Sequence, residues 1–171
     1  MQRLSEADFE GVFRLLETSF PLEEYRTREE QRALLSEPAY TLFGIKEEDR
    51  VIAFMAVWEL PSLRFIEHLA VDPACRNGGI GARMLREIVE MSDTTVCLEV
   101  EPPRTEMAAR RIGFYRRNGF FLNEYPYIQP AMSKGRNPIP LQVMTGGRAV
   151  DREEFENIKN LLYTWVYKMK E

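Results

Sequence analysis

Residues 75–85 read CRNGGIGARML, and the rest of the chain is read outward from them. A largely apolar run, LRFIEHLAVD at 63–72, enters this stretch from the N-terminal side. Beyond the glycine pair, Ile80, Met84, Leu85, Ile88 and Val89 recur at helical spacing, which predicts a helix over 79–91. The stretch is therefore the junction of a strand and a helix. The first four N–H groups of a helix have no intrahelical partner, and they lie at the positive end of its macrodipole. Gly78, Gly79 and Gly81 carry no Cβ to keep a ligand off that backbone. Arg76 adds a planar cation beside it. Together these features describe a phosphate cradle. The competing reading is a tight turn that needs glycine and nothing more.

The kind of phosphate ligand is narrowed by what the stretch lacks. A Walker loop needs Gly-Lys-Ser/Thr, and no lysine lies between Lys46 and Lys134. A dinucleotide fingerprint, G-x-G-x-x-G, would put its third glycine where Met84 stands, although Glu99 lies at about the spacing that motif wants.

Upstream, Phe9, Val12, Phe13 and Leu16 share one face and predict a helix over 5–19, broken by Pro21. A short helix is expected over 27–36. Strands are expected at Tyr40 to Ile45 and Val51 to Leu60, joined by a charged hairpin, and then at 63–72. Downstream, Thr95 to Glu101 reads as a strand stopped by Pro102-Pro103, and 104–117 as an arginine-rich helix closed by Gly119. Phe120 to Asn123 starts a strand, 124–138 reads as loop with its three prolines, and Ile139 to Thr145 is a last strand. Asp151 and Glu154 form a capping box for a final helix over about 151–170. Its apolar stripe (Phe155, Ile158, Leu161, Leu162, Trp165, Val166, Met169) is expected to pack on the sheet, with a homodimer interface as the alternative. The pattern predicts a single α/β (α+β) domain over 1–171 with a mixed sheet.

The chain has 171 residues and weighs 20.0 kDa, enough to bury a core without disulfide or metal staples. Apolar residues make up 44% and charged residues 29%, values that exclude wholesale disorder. No apolar run approaches the roughly 20 residues that span a bilayer, and the N-terminus shows no apolar signal region, so a cytoplasmic protein away from membranes is expected. Cys75 and Cys97 make neither a disulfide framework nor, with His68 the sole histidine, a metal site. The net charge of −4 gives no global reason to bind nucleic acid. Between Arg76 and Arg117, however, eight arginines stand against six acids, a local +2 that leaves −6 for the remainder. A basic middle in an acidic chain fits a small polyanion bound locally.

Arg76, Gly79 and Gly81 match the pattern R/Q-x-x-G-x-G/A, after a strand ending Leu69-Ala70-Val71 and before an amphipathic helix. FYRRNGF at 114–120 matches F-Y-x-x-x-G-F at the end of the next strand–helix unit. The chain thereby resembles the GNAT superfamily of acetyl-CoA-dependent N-acetyltransferases over roughly residues 4–145. The resemblance implies a mostly antiparallel sheet flanked by helices. It implies that acetyl-CoA lies between the strands at 63–72 and 95–101. Its pantetheine arm would meet the backbone of Leu69, Ala70 and Val71, and its pyrophosphate would rest on Asn77, Gly78, Gly79, Ile80, Gly81 and Ala82 beside Arg76. Tyr115 falls at the family's acid position, and a phenol with a pKa of about 10 stays protonated at neutral pH. A strand N–H of Leu69 or Val71 would meet the developing oxyanion.

Strand alternation places Glu67 on the face of Leu69 and Val71, as a base acting through water, and His68 on the other face in a structural role. Glu99 and Glu101 are rival bases or binders of the acceptor amine. Ala108 stands where many members have asparagine, so Arg111, with Arg110 or Arg117, is expected to supply anion contacts. The resemblance places the acceptor between the first helices, at Glu23, Glu24, Tyr25 and Arg26, and the loop from Tyr125 to Pro140, through Tyr125, Tyr127 and Gln129. The reaction implied is direct attack of a primary amine on the thioester in a ternary complex. The competing functions are a silent acetyl-CoA-binding sensor and an interaction protein paired through its final helix.

Overall fold

Arg50–Leu60 is apolar on both faces, as a strand covered on both sides must be. In the computed structural model, which describes residues 1–169, it is β3 of a seven-stranded sheet. The strands are β1 (Gln2–Arg3), β2 (Tyr40–Glu47), β3, β4 (Leu63–Val71), β5 (Thr95–Val100), β6 (Phe120–Gln129) and β7 (Ile139–Gly146), in the order β1-β2-β3-β4-β5-β7-β6. Every neighbouring pair is antiparallel except β4 and β5. The helices are α1 (Phe9–Ser19), α2 (Arg28–Ala33), α3 (Ile80–Glu90), α4 (Glu106–Arg117) and α5 (Arg152–Leu161), the last continued by a π-turn, Leu162–Val166. This is the mixed α/β architecture that the sequence pattern predicts.

Two apolar layers sandwich the sheet. On one face α1 and α5 pack Phe9, Leu16, Phe155 and Leu162 over Trp58, Phe65 and Cys97. On the other, α3 and α4 pack Met84, Leu85, Ile88, Ile112 and Tyr115 over Met55, Ile66 and Leu98. The final helix thus uses its stripe on the sheet: Phe155, Ile158, Leu162 and Val166 are buried, while Trp165 and Met169 stay exposed. The capping box at Asp151 and Glu154 is present. The helix ends earlier than expected, its π-turn stopping at Val166 with 167–169 not helical, and residue 170 itself lies outside the described residues.

Three local expectations are corrected. Residues 124–129 are strand and not loop, because Pro126 falls in a register irregularity between Asn123 and Tyr127 on an edge strand. There a missing N–H breaks no ladder bond. A short strand at Gln2–Arg3 adds an edge beside β2.

The third correction positions the site. Ala56 pairs with His68 but Val57 pairs with Ile66, so Glu67 is the extra residue of a β-bulge. The bulge resets the alternation. Leu63 and Phe65 before it, and Ala70 after it, face the α1/α5 layer. Ile66, Leu69 and Val71 face the α3/α4 layer. Glu67 therefore does not share a face with Leu69 and Val71, and His68 does not oppose it: both turn toward the α1/α5 side, with His68 Nδ1 3.6 Å from Glu67 Oε2.

Candidate functional site

The parallel ladder between β4 and β5 ends at Ile66 and Leu98, next to the bulge. Beyond it β4 runs on for five residues with β3 on one edge only. The Asp72 N–H donates to Ile52 O on β3 at 2.7 Å. Main-chain direction alternates along a strand, so the groups of Leu69 and Val71 point the other way, into the gap that β5 has left. Val71 O accepts from Arg76 Nε there at 3.2 Å. The bulge thus opens the sheet and turns two backbone N–H groups into free donors.

A cleft of about 590 Å³ occupies the α3/α4 side of this gap, lined by Leu69 to Val71, the loop from Arg76 to Ala82, and Met107, Arg110, Arg111, Phe114 and Tyr115 of α4. The loop enters α3 through Asn77 at φ 68° and Gly79 at φ 73°. Gly79 is the N-cap residue and offers no side chain to the first N–H groups, which remain available to an anion. At Gly81 a Cβ would sit 3.3 Å from Phe114 Cζ, so this glycine lets α3 pack close to α4. Arg110 is held by Glu106 at 2.5 Å on the rim.

On the other side of the gap lies a second, enclosed cavity of about 20 Å³. Its walls carry four carboxylates: Glu24, Glu67, Glu99 and Glu101. Leu69, Arg111 and Tyr115 line both cavities. Tyr115 is buried, and burial raises its hydroxyl above the ordinary tyrosine pKa, which keeps the proton on at neutral pH. The Arg111 guanidinium lies 5.5 Å over the Phe20 ring.

The carboxylates are not equivalent. Glu67, with its side chain 2% exposed, is ion-paired to Arg26, whose side chain is 9% exposed (Nη1 to Oε1, 2.8 Å). Arg26 also donates to Val166 O at 3.3 Å, which ties β4 to the C-terminal π-turn. Glu99 receives the Tyr127 hydroxyl and, at 2.8 and 2.7 Å, the Tyr167 hydroxyl. Burial still pushes Glu99 up to about 7, against those hydrogen bonds. Glu24 is pushed up to about 8 by burial and then by the neighbouring Glu101 carboxyl.

Several expected acceptor residues fall elsewhere. Glu23 is half-buried, its carboxylate accepting from the Asn137 backbone N–H (2.6 Å) and side-chain amide (3.0 Å), so it fastens the loop after β6 and not the cavity. Tyr25 is core, edge-on to Phe13 at 6.1 Å. Tyr125 stacks against Phe155 at 4.9 Å and donates to Val150 O, on the α5 packing surface. Arg26 and Tyr127 act behind the cavity wall, on Glu67 and Glu99. Ala108 is buried on α4 and offers no polar group. Gln129, expected on the acceptor side, lines the cavity; Phe20, Met132 and Leu141, which the sequence did not single out, complete its wall, and Tyr167, also not singled out, fixes Glu99. Gln129 is a buried amide on an edge strand, its Nε2 donating to Glu23 O at 3.0 Å. Among the described residues no cluster of metal-ligating side chains occurs, and no helix is long and apolar enough to cross a membrane.

The comparisons with known proteins agree with this architecture. The model of the acetyltransferase (GNAT) family matches residues 9–120. A solved structure assigned to GNAT-family acetyltransferases from Bacteroides thetaiotaomicron superposes with a TM-score of 0.87 and 37% identity, covering 99% of this chain and 98% of that one. The ribosomal-protein-alanine N-acetyltransferase from Brucella melitensis gives a TM-score of 0.62 at 17% identity, over 84% of this chain and 96% of its own. A mutant of the spermidine N-acetyltransferase SpeG from Vibrio cholerae gives 0.61 at 16% identity, over 84% and 92%. These last two likenesses are of fold alone. No curated protein matches the sequence.

Proposed function

The chain belongs to the acetyltransferase (GNAT) family, and from that premise we propose that it is an N-acetyltransferase moving the acetyl group of acetyl-CoA to a primary amine by direct attack in a ternary complex. The observation that carries this reading is the meeting of two unlike cavities at Tyr115. One is an open cleft floored by main-chain donors, and the other is an enclosed, carboxylate-lined chamber.

The cleft fits acetyl-CoA. The pantetheine amides pair with the free backbone groups of Leu69 and Val71. The pyrophosphate rests on the N–H groups from Asn77 to Ala82, with Arg76 and Arg111 adding charge. The co-substrate supplies an activated acyl thioester. The acceptor's amino end approaches Tyr115 from the chamber side, where the carboxylates favour a cationic amine. An ammonium must lose a proton before it can attack, and Glu67 is the base, acting through a water. Tyr115 is the acid that protonates the departing thiolate, a role its buried and still protonated hydroxyl suits. The Leu69 or Val71 N–H steadies the oxyanion. The whole of 1–171 works as one domain. A reducing cytoplasm suits two free cysteines, one of them fully buried. Neither serves as an acyl carrier, since Cys97 lies inside the core and Cys75 sits on the loop side of the cleft.

Free-thiol release from acetyl-CoA over a panel of primary amines, run beside a thermal-shift titration with acetyl-CoA, tests this reading. Turnover with one amine class supports it. A thermal shift without turnover by any amine makes the protein an acetyl-CoA-binding module, and no shift at all removes the cleft assignment.

A further inference from the structure

Two buried acceptor atoms face each other beside the chamber. Glu67 Oε2 and His68 Nδ1 are 3.6 Å apart on side chains each 2% exposed. Neither atom has a hydrogen-bond partner among the described residues. The bulge at Glu67 brings them together, since consecutive side chains of a regular strand point to opposite faces.

The rest of each group is fixed. Glu67 Oε1 is taken by Arg26. His68 Nε2 lies 2.7 Å from the Glu24 carbonyl oxygen. That oxygen only accepts, so Nε2 carries the ring proton and Nδ1 presents a lone pair. Phe20 closes edge-on to the ring at 4.8 Å. Burial lowers the ring's pKa below the ordinary value, so the ring rests neutral. Leaving a buried acceptor unsatisfied forfeits its hydration with nothing in return. The pair is thus built to receive a donor, and the cavity lined by both residues has room for about one water.

We propose that Glu67 and His68 form a proton-accepting dyad in which His68 Nδ1 takes the acceptor amine's proton through one water and Glu67 Oε2 holds the resulting imidazolium. The inference rests on the acetyl-transfer reading and moves the terminal proton acceptor from Glu67 to its neighbour His68. The water donates one of its protons to Nδ1 and takes one from the ammonium, whose N–H electron pair stays on nitrogen. That pair forms the bond to the acetyl carbon, and the C–S bond breaks toward sulfur. The thiolate takes the Tyr115 proton, and the second amine proton restores Tyr115. His68 later returns its proton to solvent. The imidazolium is satisfied at both ends, Nδ1–H donating to Glu67 and Nε2–H to the Glu24 carbonyl, with no rearrangement larger than closing the 3.6 Å gap. The charged or titratable groups around the ring are Glu67 on its own strand, Glu24 and Arg26 from the α1–α2 connection, Glu99 and Glu101 from β5, and Arg111 and Tyr115 from α4.

His68 is the only histidine in the chain, so imidazole ¹⁵N NMR of the full-length protein reads it without overlap. The expected result at pH 7 is a neutral ring protonated at Nε2, and a titration midpoint that falls further in Glu67→Gln, because the anion that favours the charged ring is gone. A ring protonated at Nδ1, or a midpoint that Glu67→Gln leaves unmoved, overturns the dyad whether or not an acceptor has been found. With the amine that the panel selects, His68→Gln is expected to lower kcat about a hundredfold while KM for acetyl-CoA stays within about twofold and the melting curve stays cooperative. The acid limb of the wild-type rate profile, falling at the midpoint read by NMR, is expected to vanish with it. Wild-type kcat and pH profile retained in His68→Gln overturn the proposal. Absence of turnover by wild type with every amine counts against the acetyl-transfer reading instead, and the NMR arm still decides the dyad.

Discussion

The cleft over residues 76–82 offers main-chain donors, whereas the chamber behind Tyr115 offers side chains. The anion-receiving floor of the cleft comes from one contiguous stretch, a strand end, a turn and a helix start, with α4 as its wall, and it stays open. The chamber is assembled from the α1–α2 connection, β4, β5, α4 and β6, and it is closed. Its polar groups are expensive to bury, and most have a partner: Arg26 for Glu67 Oε1, Tyr127 and Tyr167 for Glu99, and the Glu101 carboxyl for a proton-retaining Glu24. The lesson is that a site for an anion of fixed chemistry can be written in local backbone. A site that must hold and deprotonate a cation needs charges set against one another across the whole fold.

Substitutions can break this contrast. The largest effect is expected from Arg26→Ala, which strands the Glu67 carboxylate in the core. Removing one partner of a buried pair costs about 3–5 kcal/mol, roughly 10 °C in Tm for a chain of this size. Thermal melts check it, and an unchanged Tm would mean that Glu67 tolerates burial alone. Tyr115→Phe comes next, with kcat down about a hundredfold and the acetyl-CoA-induced thermal shift retained, as read by thiol release and melting together. Equal losses of turnover and binding would move Tyr115 from acid to packing residue. Arg76→Ala acts on the cleft alone. Loss of one charged contact to a phosphate is expected to weaken acetyl-CoA binding about tenfold without changing the acceptor's KM, which calorimetry and initial rates separate.

The smaller of the two stability effects concerns pH. Glu99 rises from an ordinary 4.5 to about 7 in the folded chain. Across that window the folded state holds a proton that the unfolded state has released, so this group's contribution to stability falls as pH rises. Glu99→Gln cannot ionise. Its Tm relative to wild type is therefore expected to grow between pH 5 and pH 8, by about 6 °C, and a difference that is flat with pH would place the Glu99 proton elsewhere.

How much of this was legible follows the same division. CRNGGIGARML and FYRRNGF are local signals, and the structure puts Arg76, Gly79, Gly81 and Tyr115 around the cleft they suggested. The order of helices and strands was legible too, since apolar period is a local property. The facing of Glu67 and His68 was misread because alternation is reliable only up to a bulge, and nothing in LRFIEHLAVD announces where the extra residue falls. Of four neighbours expected at the acceptor site, Glu24 reaches the chamber, Arg26 stands behind Glu67, and Glu23 and Tyr25 turn to a loop and to the core. Such outcomes depend on how the α1–α2 connection packs against α5, far away in sequence. Tyr167 carried no local mark at all.

By itself, then, the sequence determined an α/β chain with an anion-receiving helix start and a tyrosine one strand–helix unit further on. Both follow from hydrogen-bonding groups and residue periods only a few positions apart. The tertiary structure decided where the sheet opens, which carboxylates meet at that opening and in what protonation state. Each of those depends on the register between strands and on the burial supplied by segments distant in the chain.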